Sequence, residues 1–349
     1  MIQTTQELAE FLDGSNGEFH ALDTEADSLH CYHEKLCLIQ YSDGERHTLI
    51  DPLAIEDLEP LKQLIRSSEI WMHGADYDIM LMRRDLDAVP PVVWDTQIAA
   101  RLLGVRKFGY ANLVEHFLGV ELSKGSQKAD WSKRPLTEKM MEYAINDVFY
   151  LKPMVELLLK QLREKGRYEW FVESCEQARA KVLDRPQSKE DPWRIQGAGK
   201  LNPKGLLFLR ALWYWRDAEA SDWDKPPFMV CGNKQLLGWV NDICNGRDIE
   251  LPKHFRSSRR KNFYAAVEKA KQVPENLWPK RQRAAKRRIK DEVFENRCAE
   301  LAAKRDQVAT DLDIDSALII SKAAIESIAA KEVEPAEILM AWQCQLLDL

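Results

Sequence analysis

GEFHALDTEA, residues 17–26, decides the fold. A short apolar run (Phe19, Ala21, Leu22) ends in two acids, Asp23 and Glu25, two residues apart. In a strand, positions i and i+2 point to one face, so the two carboxylates lie side by side. Like charges that close repel, and a protein tolerates them when a cation sits between them. Alone, the pair is weak, because the same spacing arises by chance in many chains. Outward from it, KLCLIQYSD (35–43) and RHTLIDPL (46–53) read as the next two strands, the first ended by a Ser-Asp-Gly turn. Residues 56–67 read as a helix, IWMHGA (70–75) as a buried strand, Tyr77–Leu86 as a helix and VVWDT (92–96) as a short strand, with helices on to about Leu159. Three early strands followed by alternating helices and strands predict a mixed sheet flanked by helices.

More acids join the first two. Asp78 opens a helix directly after the strand that contains His73, and Asp95 ends the next strand. Tyr143 and Asp147 are four apart and share one helix face, where a phenol and a carboxylate could flank a metal-bound water. Taken singly, each has a plainer explanation. Tyr143 reads as a half-buried core residue, Asp147 as a surface acid and His73 as a packed strand histidine.

At 349 residues the chain is long enough for two or three domains. It is 45% hydrophobic and 30% charged, with no stretch near the ~18 unbroken apolar residues of a membrane span. The start, MIQTTQELAEFLDG, has neither the basic flank nor the apolar core of a secretory leader. Seven scattered cysteines form no C-x-x-C pair, which argues against a disulfide framework or a thiolate zinc knuckle and for a reducing, cytoplasmic compartment.

The net charge of −6 is unevenly spread. Residues 1–165 carry −10, residues 166–199 are neutral, residues 200–290 carry +12 and residues 291–349 carry −8. The basic segment holds Lys253, Arg256, Arg259 and Arg260, then the run Lys280, Arg281, Arg283, Lys286, Arg287 and Arg288. Such asymmetry points to a polyanionic partner, the alternative being a solvated linker. Between Asp184 and Pro203, Pro186, Pro192, Gly197 and Gly199 break the chain as a linker would. Beyond it LLFLRALWYWRDAEA, QLLGWVNDICN, FYAAVEKAKQV and ALIISKAAIESIAA all repeat at helical spacing, predicting two small bundles parted by the basic run. Trp213, Tyr214 and Trp215 are adjacent on a helix and cannot all face one way, so at least one belongs to the core.

Taken together and in order, Asp23-Thr24-Glu25, His73-Gly74-Ala75-Asp76-Tyr77-Asp78 and Tyr143-Ala144-Ile145-Asn146-Asp147 resemble the three motifs of the ribonuclease D family, in the DEDDy branch of 3′→5′ exonucleases. Gln40, the pair Asp95-Thr96 and the run KGSQKADWSKRPL (124–136) are supporting matches. PWRIQGAGKLNPKGLLFLRALWYWRD (192–217) followed by PPFMV (226–230) is similar to the start of the helical HRDC domain of that family. The resemblance implies an α/β fold, a ribonuclease H-like mixed-sheet exonuclease domain followed by all-α HRDC bundles. Its boundaries would be 1–168 for the exonuclease, 169–200 for a helical and Pro/Gly linker, 201–282 for a basic HRDC domain and 283–349 for a second, degenerate HRDC-like domain.

By the same resemblance the cofactors are two divalent cations, Mg²⁺ or Mn²⁺, suited to an oxygen-rich site. Asp23 would touch both, Glu25 and Asp147 would hold the one beside the attacking water, and Asp78 the other. Tyr143 would orient that water and help deprotonate it. Asp76 does not match the family acid, and Asp95 is expected to support the site rather than ligate. Gln127, Lys124 and Lys128 would contact substrate, and the basic residues of the HRDC segment would contact nucleic acid. The implied activity is a 3′→5′ exoribonuclease that releases nucleoside 5′-monophosphates from transfer-RNA precursors, with no membrane and no obligate protein partner. A 3′→5′ DNA exonuclease is the nearest alternative, because separating the sugars needs a contact to the 2′-OH. A non-catalytic RNA-binding protein is a remoter one, because all four acids and the tyrosine are present.

Overall fold

The computed structural model describes all residues except 16, 124, 187–189 and 283–290. The chain divides into two compact units. One comprises Met1–Ala26, Leu36–Arg185 and the C-terminal residues 291–349, and the other comprises Asp27–Lys35 and the described residues of 186–282.

The first unit is built on a five-stranded mixed sheet, in the order β3-β2-β1-β4-β5. β1 (Ala21–Ala26), β2 (Leu36–Ser42) and β3 (His47–Ile50) form an antiparallel meander, and β4 (Glu69–Met72) and β5 (Val92–Asp95) run parallel to β1. Every residue of β2 is buried, because both sheet faces are covered. α1 (Thr5–Asp13), α2 (Glu59–Ser67) and α3 (Asp76–Leu81) pack with Leu22, Ile39, Tyr41, Ile50 and Ile70. Across the sheet, Ala21, Leu38 and Leu49 meet residues of α4 (Thr96–Leu102), α5 (Tyr110–Leu118), α6 (Glu138–Phe149) and α7 (Leu151–Glu164). The pattern of strands and helices foresaw this sheet. It missed α1, which Thr4 and Glu7 open with a reciprocal capping box.

α8 (Tyr168–Leu183), which follows the boundary expected at residue 168, lies in the same compact unit as the sheet; it buries Phe171, Cys175 and Val182 and packs along β5. Arg179 Nε donates to the Pro90 carbonyl at 2.7 Å, and Arg83 to that of Leu183 at 2.7 Å.

The second unit is a helical bundle of α9 (Pro203–Trp223), α10 (Pro227–Val230), α11 (Asn233–Cys244) and α12 (Ser257–Lys271). Asn202 caps α9, and Pro203 occupies its first turn. The three adjacent aromatics separate as about 100° per residue requires. Trp215 is buried against Trp239 and Phe263, Trp213 is partly buried and Tyr214 is 50% exposed. The core also takes in Trp193, Ala198 and Tyr32, so this unit begins before residue 201 and recruits Asp27–Lys35.

The C-terminal helices α13 (Glu292–Leu312), α14 (Ser316–Ile319), α15 (Lys322–Ala329), α16 (Pro335–Ile338) and α17 (Ala341–Leu347) have a hydrophobic cluster of their own and fall within the first compact unit. The apolar run ALIISKAAIESIAA is two helices, because Ile320 is extended and Ser321 caps the second. Arg167 ties these helices down. Its buried guanidinium donates to the Leu102 carbonyl at 2.6 Å and the Leu312 carbonyl at 2.8 Å, the last residues of α4 and α13. Trp170 stacks on Trp342 at 5.0 Å, and Glu173 accepts from the Ala341 N–H at 2.6 Å at the start of α17. Arg167→Ala should cost about 3–5 kcal/mol, since it removes two charge-assisted bonds and leaves two helix-terminal carbonyls buried. Urea titration with hydrogen exchange should show α13–α17 opening first, and unchanged protection there would refute the clamp. Among the described residues no helix is long and apolar enough to cross a membrane, and all seven cysteines are free.

Candidate active site

β1 carries Asp23 and Glu25 on the face that α6 covers, and α6 brings Asp147 to them. One carboxylate oxygen from each of the three lies within 4.8 Å of the others. Thr24, on the opposite face by strand alternation, donates its hydroxyl to Asp78 at 2.5 Å, which fixes the fourth acid beside the first three. Among the described residues no lysine or arginine forms a salt bridge with any of the four.

Burial and mutual repulsion act on all of them. Burial pushes Asp23 well above the ordinary carboxylate range, with Asp78, Asp147 and Glu25 adding to it. Glu25 is raised to about 9, by burial and then by Asp147 and Asp78. Asp147 is raised to about 7, by burial and then by Asp78. Asp78 also reaches about 7 by burial, with the Thr24 hydroxyl pulling the other way. An all-oxygen donor set, crowded and without an ion-paired lysine or arginine among the described residues, fits hard divalent cations such as Mg²⁺ or Mn²⁺.

Asp95 is bound to the backbone. Oδ1 accepts from the N–H groups of Gly74 (2.9 Å) and Gln97 (2.8 Å), and Oδ2 from that of Ala75 (3.0 Å). It therefore caps α4 and holds the turn that aims α3, and with it Asp78. Gly74 sits in that turn at φ +70°, a conformation that favours glycine. Asp95→Ala should destabilise the fold by about 2–4 kcal/mol and lower turnover through misplacement of Asp78. Wild-type turnover in a chain whose melting temperature has dropped would limit Asp95 to stability. His73 is packed as expected, its Nδ1 3.0 Å from the Thr96 hydroxyl and its ring edge-on to Tyr110. Asp76 points elsewhere and pairs with Arg185 at 2.9 Å.

Tyr143 lies one turn before Asp147 and lines a cleft of about 820 Å³ with Asp147, Gln127, Tyr110, Asn112 and Lys139. Burial pushes the phenol upward, with Asp147, Glu25 and Asp23 adding to the shift, while a hydrogen bond from Gln127 opposes it. That shift favours the protonated phenol, which suits orienting a water by hydrogen bond.

Of the expected substrate contacts, Gln127 lines the cleft, Lys128 is exposed and not part of its lining, and Lys124 lies outside the described residues. Sequence reasoning missed Lys139, although it shares a stripe of α6 with Tyr143, Asn146 and Asp147. It also missed Tyr110, whose hydroxyl donates to the Asn146 carbonyl at 2.9 Å, a link that no local motif announces.

The basic residues divide. Arg259 pairs with Glu219 at 3.0 Å and stacks over Trp223 and Phe255, Arg260 donates to the Pro252 and Phe255 carbonyls, and Arg281 donates to the Leu201 and Lys200 carbonyls. These three guanidinium groups, expected to contact nucleic acid, also bond within the helical unit, Arg259 and Arg260 being half-buried and Arg281 exposed. Lys253, Arg256 and Lys280 are exposed. Arg283, Lys286, Arg287 and Arg288 lie outside the described residues.

Residues 1–163 match the 3′-5′ exonuclease family. The chain is 30% identical over 319 residues to ribonuclease D of Haemophilus influenzae, across 88% of this chain and 78% of that protein. It is 33% identical over 276 residues to ribonuclease D of Escherichia coli, across 74% and 71%. The crystal structure of Escherichia coli RNase D, described as an exoribonuclease involved in structured RNA processing, matches with a TM-score of 0.72 at 27% identity, over 100% of this chain and 96% of that one. A protein from Bifidobacterium adolescentis shares the fold with a TM-score of 0.82 at 24% identity, over 99% and 94%.

Proposed function

Because the chain belongs to the ribonuclease D family and is a 3′→5′ exoribonuclease, we propose that it trims transfer-RNA precursors with two divalent cations, Mg²⁺ or Mn²⁺, held by Asp23, Glu25, Asp78 and Asp147. The observation that carries the site assignment is the convergence of Asp23, Glu25 and Asp147 within 4.8 Å, with Asp78 tethered through Thr24. When bound, the cations stabilise the attacking and leaving oxygens of an in-line displacement.

The protein's own groups do the placing. Water oxygen attacks the terminal phosphorus, the bond to the penultimate 3′ oxygen breaks, that oxygen takes a proton, and a nucleoside 5′-monophosphate leaves. Tyr143 orients the water and is itself held by Gln127. The cleft beside Asp147 is within the ~300–1,000 Å³ range of small-molecule sites and would receive the terminal nucleotide. Lys139 and Gln127 contact its phosphate or sugar. Lys253, Arg256 and Lys280 of the HRDC-like unit attract the phosphate backbone, which needs only charge and reach. A structured RNA substrate agrees with the processing described for the Escherichia coli relative. The free cysteines support a reducing, cytoplasmic compartment.

One sequence made as 3′-labelled and 5′-labelled RNA and DNA tests the reaction, with Mg²⁺, Mn²⁺ or EDTA present. Immediate release of the 3′-terminal mononucleotide from RNA, stopped by EDTA and much slower on DNA, is the expected result. Equal or faster decay of DNA would overturn the preference for RNA. A transfer-RNA precursor with a 3′ trailer should be shortened to its mature end, and indifference to the body of the RNA would remove that substrate class. Tyr143→Phe should lower turnover by about 10²-fold while leaving the Mg²⁺ requirement unchanged. An unchanged rate would take the phenol out of the reaction.

A further inference from the structure

Gln40 is fully buried at the centre of β2, and neither its amide nitrogen nor its amide oxygen has a hydrogen-bond partner. A buried polar side chain left in that state is costly, and natural cores keep few of them. Its two cross-strand partners are Leu49 on β3 and Asp23 on β1. Directly opposed residues of an antiparallel pair share a face, with Cβ atoms about 4.5–5.5 Å apart. Leu49 offers no polar atom. Asp23 offers a carboxylate, at the centre of the acidic cluster.

We propose that Gln40 is a positioning residue for Asp23: once divalent cations are bound, its amide nitrogen, without a partner in the cation-free fold, donates to a carboxylate oxygen of Asp23 and fixes the plane in which that carboxylate meets them. A neutral donor suits the place. A lysine or arginine there would neutralise the acids that the cations need, and an apolar side chain would leave Asp23 free to rotate. Outer hydrogen-bond partners of metal ligands orient them in this way. The inference rests on the reading of the four acids as a cation site, and the test separates the two.

Gln40→Met keeps the volume and removes the donor. The variant and the wild type are compared by melting temperature with and without Mg²⁺, by the Mg²⁺ concentration at half-maximal rate, and by kcat and KM on RNA. Without Mg²⁺ the variant should melt at or above the wild-type temperature, since an unsatisfied amide has gone. With Mg²⁺ it should gain less than the wild type. It should need about 10–100-fold more Mg²⁺ and lose kcat, with KM for RNA within about twofold. Wild-type Mg²⁺ dependence and kcat in the variant would overturn the proposal and leave the cation site standing. A wild type whose melting and rate ignore Mg²⁺ would overturn both. Should Gln40→Met fail to fold, the wild-type protein labelled with ¹⁵N-glutamine decides. A slowly exchanging side-chain amide should shift as Mg²⁺ is added without RNA, and no such shift would refute the proposal.

Discussion

Asp147→Asn should reduce turnover on the order of a thousandfold while leaving RNA affinity within about twofold. The substitution keeps the shape of the side chain and removes one charge from a cluster whose other members, Asp23 and Glu25, place oxygens within 4.8 Å of it. Asp147 is raised by burial and by Asp78, so its ionised form strains the cation-free fold. Asparagine relieves that strain, and the variant should melt at or above the wild-type temperature. A loss of rate therefore cannot be laid to unfolding. Affinity should survive because Lys253, Arg256 and Lys280, proposed to hold the phosphates, lie on the other compact unit. Single-turnover decay of 5′-labelled RNA gives the rate, and fluorescence anisotropy at fixed salt gives the affinity. A rate within tenfold of wild type would remove Asp147 from the cation site.

The acids were legible because two periodicities expose them. Asp23 and Glu25 obey the two-residue repeat of a strand, and Tyr143 and Asp147 the turn of a helix. Asp95 was legible as a supporter, though its three backbone partners were not, since they come from two different connections. Tyr110 carries no local signal, and Thr24 and Gln40 carry none beyond their places in family-like stretches. Their importance comes from what the sheet and α5 set beside them, at separations of 54 residues for Thr24 to Asp78 and 36 for Tyr110 to Asn146. Charge counting found the basic middle segment, but it does not say which arginines also bond to carbonyls of their own unit, as Arg260 and Arg281 do. The same limit hid the docking of α13–α17. Helical spacing predicts a bundle and is silent about Arg167 and Trp170, the groups that hold it to the sheet-bearing unit.

Stability without cations should fall as pH rises, and Mg²⁺ should abolish the fall. Asp78 and Asp147 stand at about 7 and Glu25 at about 9, all above the ~4 of carboxylates in an unfolded chain. Raised acids bind protons more tightly in the folded state. Their contribution is therefore fully present below about pH 4 and is lost as pH climbs through 7 and then 9. Cations compete for the same oxygens, so binding must release protons and apparent affinity must rise with pH. Between pH 6 and 8 the two groups at about 7 alone should strengthen Mg²⁺ binding by about a hundredfold, and Glu25 should add to that. Calorimetry in two buffers of different ionisation enthalpy counts the protons released, and thermal melts from pH 5 to 9 give the slope of stability. Asp147→Asn should release fewer protons than the wild type. If affinity is flat from pH 6 to 8 with no proton release, the four carboxylates are ionised before any cation arrives, and the repulsion among Asp23, Glu25, Asp78 and Asp147 must be relieved by something other than the metal.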